Sequence, residues 1–369
     1  MNNPMQLRSW FRRLCRGLAS AALPCAIMLA PAVVATRSAQ AQTYKLLYSF
    51  AGGTDGGGPY AALILDTQGN LYGTTTGGGT YSNGTVFKAN KTGKEKVLYS
   101  FTGTGGDGAR PYAALVRDAQ GNFYGTTTFG GNPGCSLGGE TGCGVVYKLS
   151  ATGKETVLYS FTGTGGDGEF PYAGLVRDAQ GNLYGTTYDG GDFGCNPTYG
   201  CGTVFKVDTT LKETVLYSFT AAGGDGLGPN AGLVRDAQGN LYGTTVSGGT
   251  AFGTVFKLDL SSTEAVLHTF TGSTGKDGAA PYAGLVRDKL GNLYGTTASG
   301  GAGSCTGGCG TVFKLDPSGK ETVLYSFTGT GGDGKYPHGG LVLDKQGILY
   351  GTTYGGGATG YGTVFMLKP

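Results

Sequence analysis

Residues 171–219 read PYAGLVRDAQGNLYGTTYDGGDFGCNPTYGCGTVFKVDTTLKETVLYSF. Runs rich in β-branched and aromatic residues occupy 171–178, Leu183–Thr187, 202–207 and 214–219, with Gly, Asp and Asn between them. That pattern predicts four short strands joined by tight turns. In the turn at 178–182, Asp178 can cap and Gly181 can supply a positive φ. Four antiparallel strands in chain order, A to D, make one propeller blade.

The Leu-Tyr-Gly-Thr-Thr centre of this stretch recurs at Leu71, Leu183, Leu241, Leu293 and Leu349, and as Phe-Tyr-Gly-Thr-Thr at Phe123. Successive copies lie 52, 60, 58, 52 and 56 residues apart. A period of this length without helical patterning points to propeller blades. The expected fold is therefore all-β, a six-bladed β-propeller of four-stranded antiparallel blades spanning 42–369. A six-turn β-solenoid is the rival, but its turns are usually shorter. Composition agrees: of 369 residues 75 are Gly, which disfavours helix, while 23 Tyr and 17 Phe exclude a disordered chain. No strict Gly-x-y period runs through it, which excludes collagen.

The repeats also predict how the ring closes. The array opens with a D-type strand at 44–50 and ends with a C-type strand at 362–367. Pairing these two would complete the last blade and remove two exposed edges.

Residues 1–41 read as an export signal. Arg8, Arg12, Arg13 and Arg16 form a basic start, an apolar stretch runs from Leu18 to Val34, and Ala39-Gln40-Ala41 offers a cleavage site before Gln42. An uncleaved membrane anchor is the competing reading, opposed by Pro24 and Pro31 in the apolar stretch. Five arginines and no acid lie in this segment, so the remainder carries 22 basic and 24 acidic residues, a net charge of −2. Nothing in that charge favours nucleic acid as a partner. The mature chain is expected to be extracellular or periplasmic, with no membrane span.

The units Leu-Tyr-Ser-Phe-Thr-Gly, Gly-Gly-Asp-Gly, Pro-Tyr-Ala-Gly-Leu-Val, Gly-Asn-Leu-Tyr-Gly-Thr-Thr and Gly-Thr-Val-Phe-Lys-Leu recur in one order. Together they resemble the GloVer tandem repeat of bacterial exported choice-of-anchor proteins. The resemblance covers nearly the whole mature chain. It implies an extracytoplasmic protein and supplies no catalytic residues. Relatives of this kind often end in a sorting tail; here the sequence ends at Pro369, two residues past the last strand motif, and no anchor is expected.

In a propeller the D–A and B–C loops share one face. Here the B–C loops vary in length, while the A–B and C–D turns are short and alike, so a ligand is expected on the loop face. After the proline that opens each A strand stand Tyr60, Tyr112, Tyr172, Asn230, Tyr282 and His338. These residues can ring the channel mouth and stack on a sugar or another flat ligand; the alternative is blade-to-blade packing with the hydroxyls bonded to loops. Asp55, Asp107, Asp167, Asp225, Asp277 and Asp333 recur in Asp-Gly units. Asp107, Asp167 and Asp333 are candidate polar contacts for a ligand. Calcium is a possible cofactor for the set, and turn capping is the competing use. Three cysteine pairs, Cys135/Cys143, Cys195/Cys201 and Cys305/Cys309, each fall within one B–C loop and predict disulfides.

His268 and His338 are the only histidines, each in a position where other repeats have Tyr, and no G-x-S-x-G or H-E-x-x-H accompanies them. Arg117, Arg177, Arg235 and Arg287, each before an A–B turn, are expected to pair with carboxylates. The function expected is a non-catalytic binding or scaffold propeller at or outside the cell envelope, with carbohydrate or protein as ligand. The alternative is a secreted lyase or glycoside-processing enzyme using the channel mouth.

Overall fold

The computed structural model describes residues 46–272 and 277–369, and its regular elements are all strands. The signal segment at 1–41 lies outside the described residues. In the third repeat, strand A is Val176–Arg177, B is Leu183–Thr187, C is Thr203–Val207 and D is Glu213–Ser218, hydrogen-bonded antiparallel in that order. Four further four-stranded sheets repeat this, with B strands Leu71–Thr75, Phe123–Thr127, Leu241–Thr245 and Leu293–Thr297. The last blade has three strands, Val342–Leu343, Leu349–Thr353 and Thr363–Leu367. The fold is a six-bladed β-propeller.

The B strands match the sequence motif residue for residue. The A strands are shorter than the sequence predicts, two residues in place of eight. Their upstream parts are used differently. In five of the six a carbonyl accepts a hydroxyl from the preceding blade: Thr74 donates to Ala113, Thr126 to Ala173, Thr186 to Ala231, Thr244 to Ala283 and Thr296 to Gly339, at 2.9–3.4 Å. Neighbouring inner segments also approach backbone to backbone. A Cβ at Gly174 would lie 3.1 Å from the Ala114 carbonyl oxygen, and one at Gly232 would lie 3.3 Å from that of Gly174. Small residues are therefore required next to the axis.

Each seam between blades is built on aromatic rings. The Phe205 ring lies across Gly185, where a Cβ would meet it at 2.6 Å, and the same ring meets Phe161 of the preceding blade edge-on at 5.0 Å. Phe101–Tyr147, Phe219–Phe256, Phe270–Phe313 and Phe327–Phe365 repeat that contact at 5.0–5.2 Å. These rings are almost all fully buried and form the centre of the core.

On the face of the A–B turns, Asp178 accepts the Asn182 backbone N–H and side-chain amide at 2.8 Å each, and the Tyr184 hydroxyl at 3.1 Å. The arginines before these turns do not form the expected ion pairs. Arg177 lies over the Tyr124 ring of the preceding blade at 5.6 Å, Arg235 over Tyr184 at 5.7 Å and Arg287 over Tyr242 at 5.9 Å. Arg117 likewise covers Tyr72. The turn carboxylates are saturated by their own Asn and Tyr donors, so the guanidinium finds the ring face instead.

The expected ladder between 44–50 and 362–367 is not present among the described residues; Tyr44 and Lys45 lie outside them. Residues 46–50 contact the first blade. Phe50 meets Phe87 edge-on at 4.9 Å, and the Tyr48 hydroxyl donates to Asp55, as outer-strand residues do elsewhere. Among the described residues no strand pairs with the outer edge of Thr363–Leu367, where Val364 is 83% and Met366 64% exposed. Beside it lies a cavity of about 220 Å³ lined by Phe327, Phe365, Met366 and Leu367.

Two outcomes test this architecture. Gly185→Ala drives a methyl into the Phe205 ring and should destabilise the protein by about 1–3 kcal/mol in urea unfolding. Closure predicts that Ser49 stands opposite Thr363, as Ser218 stands opposite Thr203. Since no such ladder is present among the described residues, Ser49→Cys with Thr363→Cys should keep two free thiols in non-reducing peptide mapping. An intramolecular disulfide in a folded monomer would mean that this pairing does close the ring.

Candidate ligand-binding face

Every D–A loop is hydrogen-bonded to the B–C loop of its own blade, which puts both on one face. The contacts are short two-residue ladders such as Ala109↔Phe129, Glu169↔Asp189 and Leu227↔Ser247. The residue before each A-strand proline is left-handed, at Arg110, Phe170, Ala280 and Tyr336 (φ 52–58°) and at Gly58 and Gly228. For non-glycine residues that backbone is costly and persists only where neighbours hold it. Here the N–H of Phe170 is held by the Cys143 carbonyl of the preceding blade at 3.0 Å, and that of Tyr336 by the Cys309 carbonyl at 2.8 Å.

The predicted disulfides Cys135–Cys143, Cys195–Cys201 and Cys305–Cys309 are all formed. They tie the same B–C loops on which these left-handed residues lean. Arg110 adds a bridge between two blades: its guanidinium pairs with Glu140 at 2.7 Å and donates to the Thr76 and Ser82 carbonyls.

The residues after the prolines form two runs of touching rings. Tyr60–Tyr112 are 5.7 Å apart, Tyr112–Tyr172 5.6 Å and Tyr172–Tyr188 5.8 Å. Tyr282 stacks on His338 at 5.0 Å, and His338 meets Tyr354 at 5.8 Å. Asn230 supplies no ring between the runs. The girdle hydroxyls of Tyr60, Tyr112, Tyr172, Tyr188, Tyr282 and Tyr354 form no hydrogen bond among the described residues, unlike the B-strand tyrosines such as Tyr184. Burial, with Tyr112 and Asp189 nearby, pushes the Tyr172 hydroxyl up to about 12. Tyr188 and Tyr354 were not singled out by sequence reasoning. Both follow the Gly-Thr-Thr unit, where other repeats have Thr, Val or Ala, and that departure was the available signal.

The Asp-Gly aspartates are drawn into their own loops. Asp107 Oδ2 accepts from the Tyr99 hydroxyl, the Thr102 N–H and the Thr102 hydroxyl at 2.7–2.9 Å, while Oδ1 accepts the Gly108 N–H at 2.7 Å. Asp167 repeats all four contacts, and Asp333 the same loop bonds from Thr328 and Gly334. A calcium ion there would have to displace these donors. His268, in a position where other repeats have Tyr, sits 3.2 Å from Asp277 and takes over the tyrosine's partner. The two histidines thus lie in separate surroundings, His268 in a seam and His338 in the girdle. Three potential metal-ligating atoms converge at Cys135, Cys143 and Glu169, but the two sulfurs are bonded to each other and offer no thiolate.

This is a tandem-repeat propeller with one face of near-identical turns and one of variable, cross-tied loops. The chain belongs to the Gloeobacter/Verrucomicrobia repeat family, whose model matches residues 32–197, 134–307 and 196–369. No sequence of a characterised protein matches it. Among solved structures it is similar to a protein assigned as a gluconolactonase (12% identity, 84% of this chain and 90% of that one, TM-score 0.46). It is also similar to a luciferin-regenerating enzyme (16% identity, 86% and 92%, TM-score 0.44). A third is the tricorn protease, of which 24% is covered along with 78% of this chain (13% identity, TM-score 0.42).

Several carboxyls of this array are raised. Burial, then a loop aspartate, pushes Glu155, Glu213, Glu264 and Glu321 at the outer-strand starts up to about 7, and one oxygen of each is buried without a partner. Glu169 and Asp189 are raised to about 7 as well, chiefly by burial. Between the unfolded value of about 4.3 and 7, the folded protein keeps protons that the unfolded chain releases. Stability should therefore be greater at pH 5.5 than at pH 8 and fall as pH rises through that window. Burial lowers His268 and His338, which acts in the opposite sense below pH 6.5, two groups against six. Scanning calorimetry should show Tm dropping from pH 5.5 to 8, and Glu213→Gln with Glu264→Gln should flatten the slope. A Tm that climbs over this range contradicts the assignment.

Proposed function

We propose that this protein is an exported, non-catalytic binding propeller that works at or outside the cell envelope and takes its ligand on the loop face. The observation that carries the reading is the girdle: Tyr60, Tyr112 and Tyr172 in one run of touching rings and Tyr282 with His338 in another, with tyrosine hydroxyls that no group among the described residues uses. Structural tyrosines in this array spend their hydroxyls on aspartates, so these free donors are available to a ligand. Aromatic faces with free hydroxyls suit the flat faces and hydroxyl edges of carbohydrate. The disulfide-tied loops hold the surface in place and lower the ordering cost of binding. Export is supported by the basic start, the apolar stretch and the Ala-x-Ala site of residues 1–41, and by three disulfides. Among the described residues no helix is long and apolar enough to cross a membrane.

A glycan array probed with the mature protein, followed by calorimetry on the best oligosaccharide, tests this. Tyr112→Ala and Tyr172→Ala should each weaken binding at least tenfold, whereas Gln180→Ala in the A–B turn of the opposite face should leave it unchanged. The reverse pattern in folded variants would place the ligand on the other face. Turnover of the bound glycan in a lyase and glycosidase panel would favour the enzyme reading instead.

A further inference from the structure

The third blade departs from its repeats where the loop ladder meets the girdle. Glu169 and Asp189 face each other across that ladder. At the first position the other blades have Gly57, Ala109, Leu227, Ala279 and Lys335; at the second they have Gly77, Phe129, Ser247, Ser299 and Gly355. Only this blade sets two acids opposite one another, an arrangement that like-charge repulsion disfavours. Both are more than nine-tenths buried, Glu169 at 6% and Asp189 at 8% exposure. Neither side chain has a hydrogen bond or an ion pair; the ion pairs among the described residues are Arg110–Glu140 and His268–Asp277. A buried carboxylate without a partner is costly, and a cation or a proton relieves it.

Asp189 lines a pocket of about 290 Å³ between the third and fourth blades. Tyr188 and Tyr199 form its aromatic sides, and Leu137, Leu227 and Val246 its apolar ones. Asn196 also lines it, but its side-chain oxygen is occupied by the Thr198 and Tyr199 N–H groups. A divalent metal wants six or more oxygens, far more than this lining offers. A neutral sugar would leave the charge uncompensated. An alkylammonium ion fits on both counts, since its charge meets the carboxylate and its carbons meet rings and aliphatic side chains.

We propose that this pocket binds a small organic ammonium ion, with Asp189 as counter-ion and the Tyr188 and Tyr199 rings as walls. The site shares Tyr188 with the girdle but does not depend on carbohydrate binding there. The groups facing Asp189 are Glu169 across the ladder, with Asp167 beside it, and Tyr172, Tyr188 and Tyr199; the fourth blade contributes only Leu227, Gly228, Val246 and Ser247. Burial pushes Asp189 up to about 7. The ammonium needs the ionised form, so affinity should fall about tenfold from pH 8 to pH 6.

The test is calorimetry on the mature protein at pH 8 with n-butylammonium, n-butanol and calcium chloride. Butylammonium should saturate one site and butanol should not. Asp189→Asn should weaken butylammonium at least tenfold, Tyr199→Ala should weaken it less, and Glu321→Gln in the outer strand of the fifth blade should leave it unchanged. If Asp189→Asn fails to fold, the pH dependence of the wild type and Tyr199→Ala carry the test. The proposal is overturned if wild-type protein shows no saturable butylammonium binding or butanol binds as tightly. It is also overturned if a folded Asp189→Asn binds unchanged, or if calcium occupies the site and butylammonium does not displace it. Glycan binding that survives Asp189→Asn separates this site from the girdle.

Discussion

The ring laid across a glycine is the contact on which this molecule turns. Phe205 can reach across strand B only because Gly185 has no side chain, and the same ring then meets Phe161 of the blade before. One aromatic residue thus fills the interior of its own blade and sets the spacing to the next. The threonine after that glycine completes the link: Thr186 reaches the Ala231 carbonyl of the following blade. A five-residue motif therefore encodes both a strand and two interfaces, which is why it repeats with so little change.

That economy explains what could be read from the chain. The B strands were legible to the residue because every position in Leu-Tyr-Gly-Thr-Thr is constrained from two sides. The A strands were not, since their length depends on hydroxyl donors arriving from another blade, which no local propensity records. The arginines misled for a related reason. Their spacing put them beside acids, but Asn182 and Tyr184 had already saturated Asp178, and the open ring face of the neighbouring blade took the guanidinium. The girdle was half legible. Tyr112 and Tyr172 stand at a fixed offset from a proline, whereas Tyr188 and Tyr354 are single departures within loops. Asp189 was invisible for the same reason, because its significance lies in the absence of any partner across the ladder.

Symmetry is spent unevenly between the two faces. The A–B turns repeat one Asp-to-Asn arrangement from Asp66 to Asp288, and the last differs by having Ile348 in place of the Asn. The loop face keeps a common backbone, with its left-handed residue and its bond to the preceding blade, yet changes side chain at nearly every blade: Arg110, Phe170, Gly228, Ala280 and Tyr336. A shared frame with interchangeable side chains lets one blade acquire a carboxylate pair without disturbing the others.

The placement of the disulfides bears on how such a chain reaches its fold. Near-identical blades offer many wrong partners, and a strand from one repeat can pair with its counterpart in another. The three bonds join cysteines 8, 6 and 4 residues apart. Each can form as soon as its own loop exists, before any neighbour has docked. Oxidation therefore neither locks a mispaired blade nor waits for the ring, and forming these bonds needs an oxidant but little isomerase activity to correct crossed thiols.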